Sequence, residues 1–311
     1  WIRSPVIQVN QAGFHPRAPK RAVIEFDMND PRAKRPLPIK LIRIGKDGYE
    51  HTVMEGGTDF GKFLRYCYRV FDFSSVQEQG LYQLLSCGVR SSLFRIDQAV
   101  YERHLWQPVL EHFLPVQMCH MRVEDGYRVW HGACHLDDAL MAPVDTNHFD
   151  GYSQGPSTLC EYKSGDSIPG LNEGGWHDAG DFDLRIESQA GTVYGLALAQ
   201  EYFNPDWDST TVDRQERTVR ILSPDGIPDI LQQIEHGLLT ILGAWRALGR
   251  LYRGIIEENL RDYVLIGDPL NNQNPRLVFT EDNPSRELET AAALACAYRA
   301  IRGYREDLAI E

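Results

Sequence analysis

The hydrophobic pattern changes period near Ile96, and this change splits the chain into two parts of different class. Before it come short β-prone runs: Ala22 to Phe26, Ile39 to Ile44, Leu64 to Phe71, Leu81 to Leu85 and Ser92 to Ile96. The breakers Asn29-Asp30-Pro31, Lys46-Asp47-Gly48, Glu55-Gly56-Gly57 and Gln79-Gly80 punctuate them. Successive side chains on a strand point to opposite faces, so Leu64-Arg65-Tyr66-Cys67-Tyr68-Arg69 reads as a half-buried strand. Strands at this spacing predict an antiparallel sandwich of about 100 residues. After Ile96, Leu231, Ile234, Leu238, Ile241, Trp245 and Leu248 recur at steps of three and four, the stripe of an amphipathic helix. Pro228 suits its first turn, and Asn283-Pro284 opens another helix through Leu288, Ala291, Leu294, Ala295, Tyr298 and Ile301. Ser188 to Phe203 predicts a third. Leu105, Val109 and Phe113 share a stripe of an earlier helix, and Arg305 to Ile310 begins a last one. The fold class is multidomain β plus all-α: a sandwich over 1–97 and a mainly helical part over 98–311. Its long connections, 142–175 and 253–282, are of a length usually kept for function.

With 311 residues, 42% of them hydrophobic, the chain has room for two domains with real cores. A net charge of −12 argues against nucleic acid or an anionic membrane surface, since both demand a basic face. A neutral polymer such as a polysaccharide fits. No apolar run is long enough to span a bilayer, and no charged-then-apolar leader precedes Trp1. Six cysteines are too few for a disulfide scaffold, and pairing among Cys67, Cys87, Cys160 and Cys296 cannot be deduced from spacing. Oligomeric state is equally open.

The densest chemistry lies in Gly174-Gly175-Trp176-His177-Asp178-Ala179-Gly180-Asp181. In a tight turn or first helical turn, Asp178 and Asp181 face the same way, because i and i+3 share a face. Gly180 lets backbone or ligand approach closely. Two such carboxylates can grip and deprotonate one water, the general-base half of a hydrolysis. The plainer alternative is a solvated Asp-Gly turn. Trp176 is either a surface for a sugar face or a loop anchor in the core. His148 and Tyr152 are further candidates for a cleft.

This stretch resembles the signature of family 9 glycoside hydrolases. Val9-Asn10-Gln11-Ala12-Gly13-Phe14 independently resembles the start of the immunoglobulin-like domain that precedes many of their catalytic domains. The resemblance implies an immunoglobulin-like β-sandwich over 1–97 followed by the N-terminal portion of an (α/α)6 barrel over 98–311. Such a barrel takes roughly twice the residues that follow 97. It implies inverting hydrolysis of β-linked glucans, cellulose-like or xyloglucan-like, with Asp181 as general base and Asp178 helping to hold the water. The family's catalytic acid, a glutamate near its C-terminus, has no counterpart here. A polysaccharide or oligosaccharide partner and a secreted or periplasmic location, with the leader absent from this sequence, are implied as well. Where many cellulases continue the motif with Tyr or His and small residues, this chain has Phe182-Asp183-Leu184-Arg185. An exo-acting β-glucosaminidase of the same family is therefore the alternative, with Asp183 pairing either a substrate ammonium or Arg185. A non-catalytic glycan-binding or remnant protein is the competing class.

Cys119, Cys134, His135 and His177 make a second constellation, the donor set of a closed structural zinc site. By spacing alone His120 and His131 are equally available, and buried free cysteine is the alternative. The resemblance implies a structural zinc at Cys119, Cys134, His135 and His177. A metal there would pin the residue adjoining Asp178. A third reading, a metal-dependent hydrolase, needs an open coordination position that such a set lacks. Calcium is also common in the family, with Asp137, Asp138 and Asp150 as available acids that solvation or capping would equally explain.

Overall fold

The computed structural model describes residues 1–35, 38–144, 159–178, 182–257 and 276–311. It comprises two compact units, Trp1–Trp106 and Gln107–Glu311. The first unit holds β1 (Val6–Gln8), β2 (Arg21–Asp27), β3 (Ile39–Ile44), β4 (Glu50–Gly56), β5 (Thr58–Phe63), β6 (Tyr66–Asp72), β7 (Gly80–Ser86), β8 (Val89–Arg90) and β9 (Phe94–Ile96). One sheet runs β1-β2-β6-β5 and the other β4-β3-β7-β8, with β9 also on β7. Alternation along the strands turns Ala22, Ile24, Phe26, Ile39, Leu41, Phe71, Tyr82 and Leu84 into one shared core. Phe73 and Phe94 close it around Phe14 with edge-on rings at 5.3 and 5.6 Å. This is an immunoglobulin-like β domain. Leu64 and Arg65 are not strand but the turn between β5 and β6, with Leu64 at φ +50°. Neither is a turn-forming residue type, so the alternating pattern ran straight through the reversal.

The second unit begins with a π-helical turn, Val109–Phe113, that runs into α1 (Leu114–Gln117). There follow β10 (Arg122–Glu124), β11 (Val129–His131), β12 (Leu140–Met141), β13 (Leu184–Arg185), α2 (Ile186–Phe203), β14 (Thr210–Asp213) and β15 (Thr218–Ile221). Then come α3 (Asp229–Leu248), β16 (Gly254–Ile256), β17 (Leu277–Phe279), α4 (Pro284–Ile301) and α5 (Glu306–Ile310). The helix expected on the Leu105, Val109, Phe113 stripe is only this short piece, and all three residues are exposed. Pro108 and Pro115 bracket it, and a proline nitrogen offers no donor to a helix ladder.

The three long helices lie where the periodicity places them, and α2 packs on both α3 and α4. On α3 the stripe is buried at Ile234, Leu238, Ile241 and Leu248 but exposed at Trp245, and Gly249 ends it at φ +67°. The Asn283 side chain caps α4 by accepting from Arg286 N at 3.1 Å. Its buried face is Thr290, Ala293, Cys296, Ala297 and Ile301, while Leu288, Ala291, Ala295 and Tyr298 are exposed. The small residues of that face meet Ala190, Val193 and Ala197 in the same core. This is the helical part of the predicted fold class. Sequence reading missed two short four-stranded sheets, β11-β10-β15-β14 and β12-β17-β16-β13. Two strands of the second, β16 and β17, come from the connection 253–282 that was expected as a loop. Its β13 pairs with β16, which draws the chain just beyond Asp181 against residues 254 and 255. No helix among the described residues is long and apolar enough to cross a membrane.

Candidate functional site

Residues 117–119 and 175–177 lie side by side as a minimal antiparallel pair. Cys119 N donates to Gly175 O and His177 N to Gln117 O, each at 2.8 Å. The turn into this pair requires glycine: Gly174 has φ +69°, and a Cβ there would stand 2.3 Å from His236 O. His236, buried on α3, binds Gly175 twice, through Gly175 N to its own carbonyl at 3.0 Å and from Nε2 to Gly175 O at 2.8 Å. Trp176 is 4% exposed. Its backbone N–H and C=O both bond the Gln189 amide at 2.9 Å, and Nε1 donates to Gln233 Oε1 at 2.8 Å. The indole is thus a core anchor and not a sugar platform.

The chain leaves the core at Asp178. Gly174 to His177 are buried, whereas the Asp178 side chain is 31% exposed. Asp178 N donates to Asp183 O at 3.0 Å, Ser188 Oγ to Oδ1 at 3.2 Å, and Arg185 Nε stands 3.5 Å from Oδ2. Asp181, with Ala179 and Gly180, lies outside the described residues, as do His148, Asp150 and Tyr152. Asp183 is fully buried. It faces Arg185 Nε at 3.2 Å and accepts from Glu257 N at 2.7 Å, so its partner is Arg185 and not a ligand ammonium.

Behind the turn, Cys119, Cys134 and His177 bring their ligand atoms within 4.8 Å of one another, all buried. The two Sγ atoms are 3.8 Å apart, and Cys134 Sγ is 3.3 Å from His177 Nε2. His135 flanks the three, its ring centroid 6.4 Å from that of His177. Its Nδ1 holds Asp138 Oδ2 at 2.6 Å, while its Nε2 is buried and meets no hydrogen-bond partner. His135 is not within the 4.8 Å group of three, but an orphaned imidazole nitrogen on a ring that neighbours His177 fits a fourth metal ligand, and the carboxylate on its other nitrogen is the usual orienting contact. His120 and His131 do not compete. His120 engages Gly174 O and Arg276, and His131 engages Gly132 O and Val116 O.

Burial, reinforced by the Arg276 charge, lowers His135 to about 4, which keeps its free nitrogen unprotonated at neutral pH. Burial opposes ionisation of Asp138, but the Arg276 charge and the hydrogen bonds from His135 and Arg276 outweigh it. The Asp138 carboxyl is held well below the usual carboxylate range. Arg276 engages both Asp138 oxygens, which ties this carboxylate to the cysteine-histidine cluster. His120, His135, Ala139 and Phe182 all take left-handed backbone, at φ +65°, +52°, +60° and +58°. Four non-glycine residues in that region around one cluster mark a place where surrounding contacts override local preference. Sequence reasoning missed the His135–Asp138 pair, whose i,i+3 spacing was a usable signal, and Arg276, Gln189 and Gln233, which carried none.

Comparison with known proteins gives the same two parts. The cellulase N-terminal ig-like domain matches residues 3–91, and glycosyl hydrolase family 9 matches residues 113–311. Endoglucanase D of Acetivibrio thermocellus is 25% identical over 307 residues, covering 96% of this chain and 42% of the relative. A cellodextrinase of Butyrivibrio fibrisolvens is 23% identical over 305 residues, covering 97% and 48%. The chain thus spans less than half the length of these relatives. Among solved structures, a metagenome-derived glycoside hydrolase family 9 endoglucanase superposes with a TM-score of 0.68 at 24% identity, covering 98% of this chain and 52% of that one. A Zn-binding triple mutant of the family 9 endoglucanase J30 gives a TM-score of 0.68 at 22% identity, covering 96% and 50%.

Proposed function

Since this chain belongs to glycosyl hydrolase family 9, we propose that it serves an inverting hydrolase of β-linked glucans, cellulose-like or xyloglucan-like, acting outside the cytoplasm as a secreted or periplasmic protein. The observation that carries the reading is the emergence of Asp178 from a turn whose preceding residues are all buried. A carboxylate left in water at the end of a rigid support is available to hold a nucleophile. Asp181 acts as the base that takes the proton from the attacking water, and Asp178 holds that water beside it. Inversion needs the acid on the opposite side of the scissile bond, with carboxyls about 6.5 to 9.5 Å apart. No residue of this chain is assigned to that acid role. Arg185, 3.5 Å from Asp178, offsets the repulsion that two neighbouring carboxylates would suffer.

Cys119, Cys134, His135 and His177 would hold a zinc ion. The cysteine and imidazole donors suit it, the His135 nitrogen needs a partner, and a triple mutant of a family 9 endoglucanase of the same fold is named Zn-binding. Four protein ligands leave no open position, so the metal's contribution is rigidity. His177, fixed by it, adjoins Asp178. The amino-sugar alternative loses its specific support, because Asp183 is buried against Arg185.

The test is reducing-sugar release from β-glucans, xyloglucan and chito-oligosaccharides by the full-length protein and its Asp181→Ala variant. Loss of at least about a hundredfold in the variant supports the base assignment, given what general base catalysis contributes. An unaffected variant refutes it. A parent inactive on every substrate favours the non-catalytic glycan-binding reading.

A further inference from the structure

We propose that Arg276 is a positioning residue that ties the cysteine-histidine cluster to Phe182, the residue that follows Asp181 in the chain. Its guanidinium is fully buried and surrounded by fixed partners. Nε donates to Asp138 Oδ2 at 2.8 Å and Nη2 to Oδ1 at 3.3 Å. Nη1 donates to Phe182 O at 2.7 Å and stands 3.6 Å from Cys119 Sγ, and Nη2 reaches His120 Nε2 at 3.5 Å. Each contact has a consequence for the turn.

The bidentate grip on Asp138 orients the carboxylate that in turn orients His135, leaving the His135 Nε2 aimed away from that pair and unpartnered. The bond to Phe182 O holds a residue whose left-handed backbone, at φ +58°, is disfavoured outside glycine. Phe182 directly follows Asp181, and the next carbonyl, Asp183 O, accepts from Asp178 N at 3.0 Å. Of the residues flanking Asp181, Asp178 is therefore fastened through His177 to the cluster, and Phe182 through its carbonyl to Arg276.

Charge gives an independent argument. With zinc bound the two cysteine ligands would be thiolates, and with the buried Asp138 carboxylate they would make three negative charges that a divalent metal and one guanidinium cancel. A lysine could cancel the same charge. It could not hold a carboxylate bidentately and a carbonyl with one planar fork. The role of Arg276 therefore separates into charge and geometry, and two substitutions divide them.

The catalytic arm rests on the reading of Asp181 as base; the other two arms do not. Zinc affinity, by competition with a chromogenic chelator, is measured on the full-length protein and its Arg276→Lys and Arg276→Met variants. Amide exchange of His177, Asp178 and Glu257 is followed in the zinc-loaded proteins, with kcat and KM on a soluble β-glucan. Arg276→Met is expected to weaken zinc about 10- to 100-fold, the usual effect of removing an outer partner of a metal ligand. Arg276→Lys, which keeps the charge but not the two-point grip on Asp138, is expected to bind zinc more tightly than Arg276→Met though more weakly than the parent, to exchange the Asp178 and Glu257 amides at least about tenfold faster, and to lower kcat about tenfold at unchanged KM. Parental exchange rates in Arg276→Lys would overturn the proposal, as would parental zinc affinity in a folded Arg276→Met. If Arg276→Met does not fold, the lysine variant decides. A parent inactive on all glucans would sink the base assignment alone, because zinc binding and amide exchange are read without turnover.

Discussion

Cys134 Sγ lies 3.3 Å from His177 Nε2, and His177 immediately precedes Asp178. The proposed metal and the proposed water-holding carboxylate thus share one short piece of backbone. Stability and turnover should depend on the metal together.

Removal of zinc by a strong chelator should lower the melting temperature. A ligand held at about 1,000 times its dissociation constant stabilises by about 4 kcal/mol, and in a domain of this size each kcal/mol shifts the midpoint by about 2–4 °C. A fall of about 8–16 °C in scanning calorimetry is expected, reversed by added zinc and absent in a Cys134→Ser variant. A chelator-insensitive midpoint in protein shown by elemental analysis to have held zinc would contradict the structural role.

Asp178→Asn should separate catalysis from folding. The side chain is partly exposed, and an asparagine still accepts from Ser188, so stability should change by no more than about 0.5 kcal/mol. The variant loses the charge that orients water, and kcat should fall about 10- to 100-fold. Steady-state kinetics and a urea midpoint check both halves, and an unchanged kcat would remove Asp178 from the mechanism.

In the first unit, Arg65 donates to Asp27, Asn29 N adds a bond at 3.0 Å, and the carboxyl is lowered from 3.8 to about 2. A depressed carboxyl stabilises the fold above its unfolded pKa, and the benefit fades as pH falls through the folded value. Asp27→Asn should therefore be less stable than the parent near pH 6, with the gap closing between about pH 4 and pH 2. Urea midpoints across that range test the sign. A gap that widens on acidification would rule it out.

What was readable in advance follows from how local each signal is. β3 is bounded as its apolar run predicts, and α2 and α4 follow their periodicity because those patterns are properties of one segment. Periodicity does not tell which face of α4 is buried: the larger Leu288 and Tyr298 are exposed, whereas close contact with α2 selects the small residues Ala293 and Ala297. The proposed ligand set Cys119, Cys134, His135 and His177 was suggested only by the family resemblance, since these residues come from separate segments. Arg276 carried no signal at all. Its partners lie at residues 119, 120, 138 and 182, and only the fold assembles them.

Gly237 and Gly191 provide a test in which the same substitution should have opposite signs. Both are helix-interior glycines, in α3 and α2, where alanine ordinarily gains about 0.5–1 kcal/mol. At Gly191 an added Cβ meets nothing within 4 Å, so Gly191→Ala should show that gain. At Gly237 the Cβ would stand 2.4 Å from Val193 Cγ2 and 2.5 Å from Trp176 Cη2. The indole cannot simply retreat, because Gln233 holds its Nε1 and Gln189 holds its backbone on both sides. Overpacking of this kind costs about 1–3 kcal/mol, more than the helical gain, so Gly237→Ala should be destabilised by about 1–2 kcal/mol. Urea denaturation of both variants decides it. A stabilised Gly237→Ala would mean that Trp176 moves freely, and the rigid support under Asp178 would lose its main anchor.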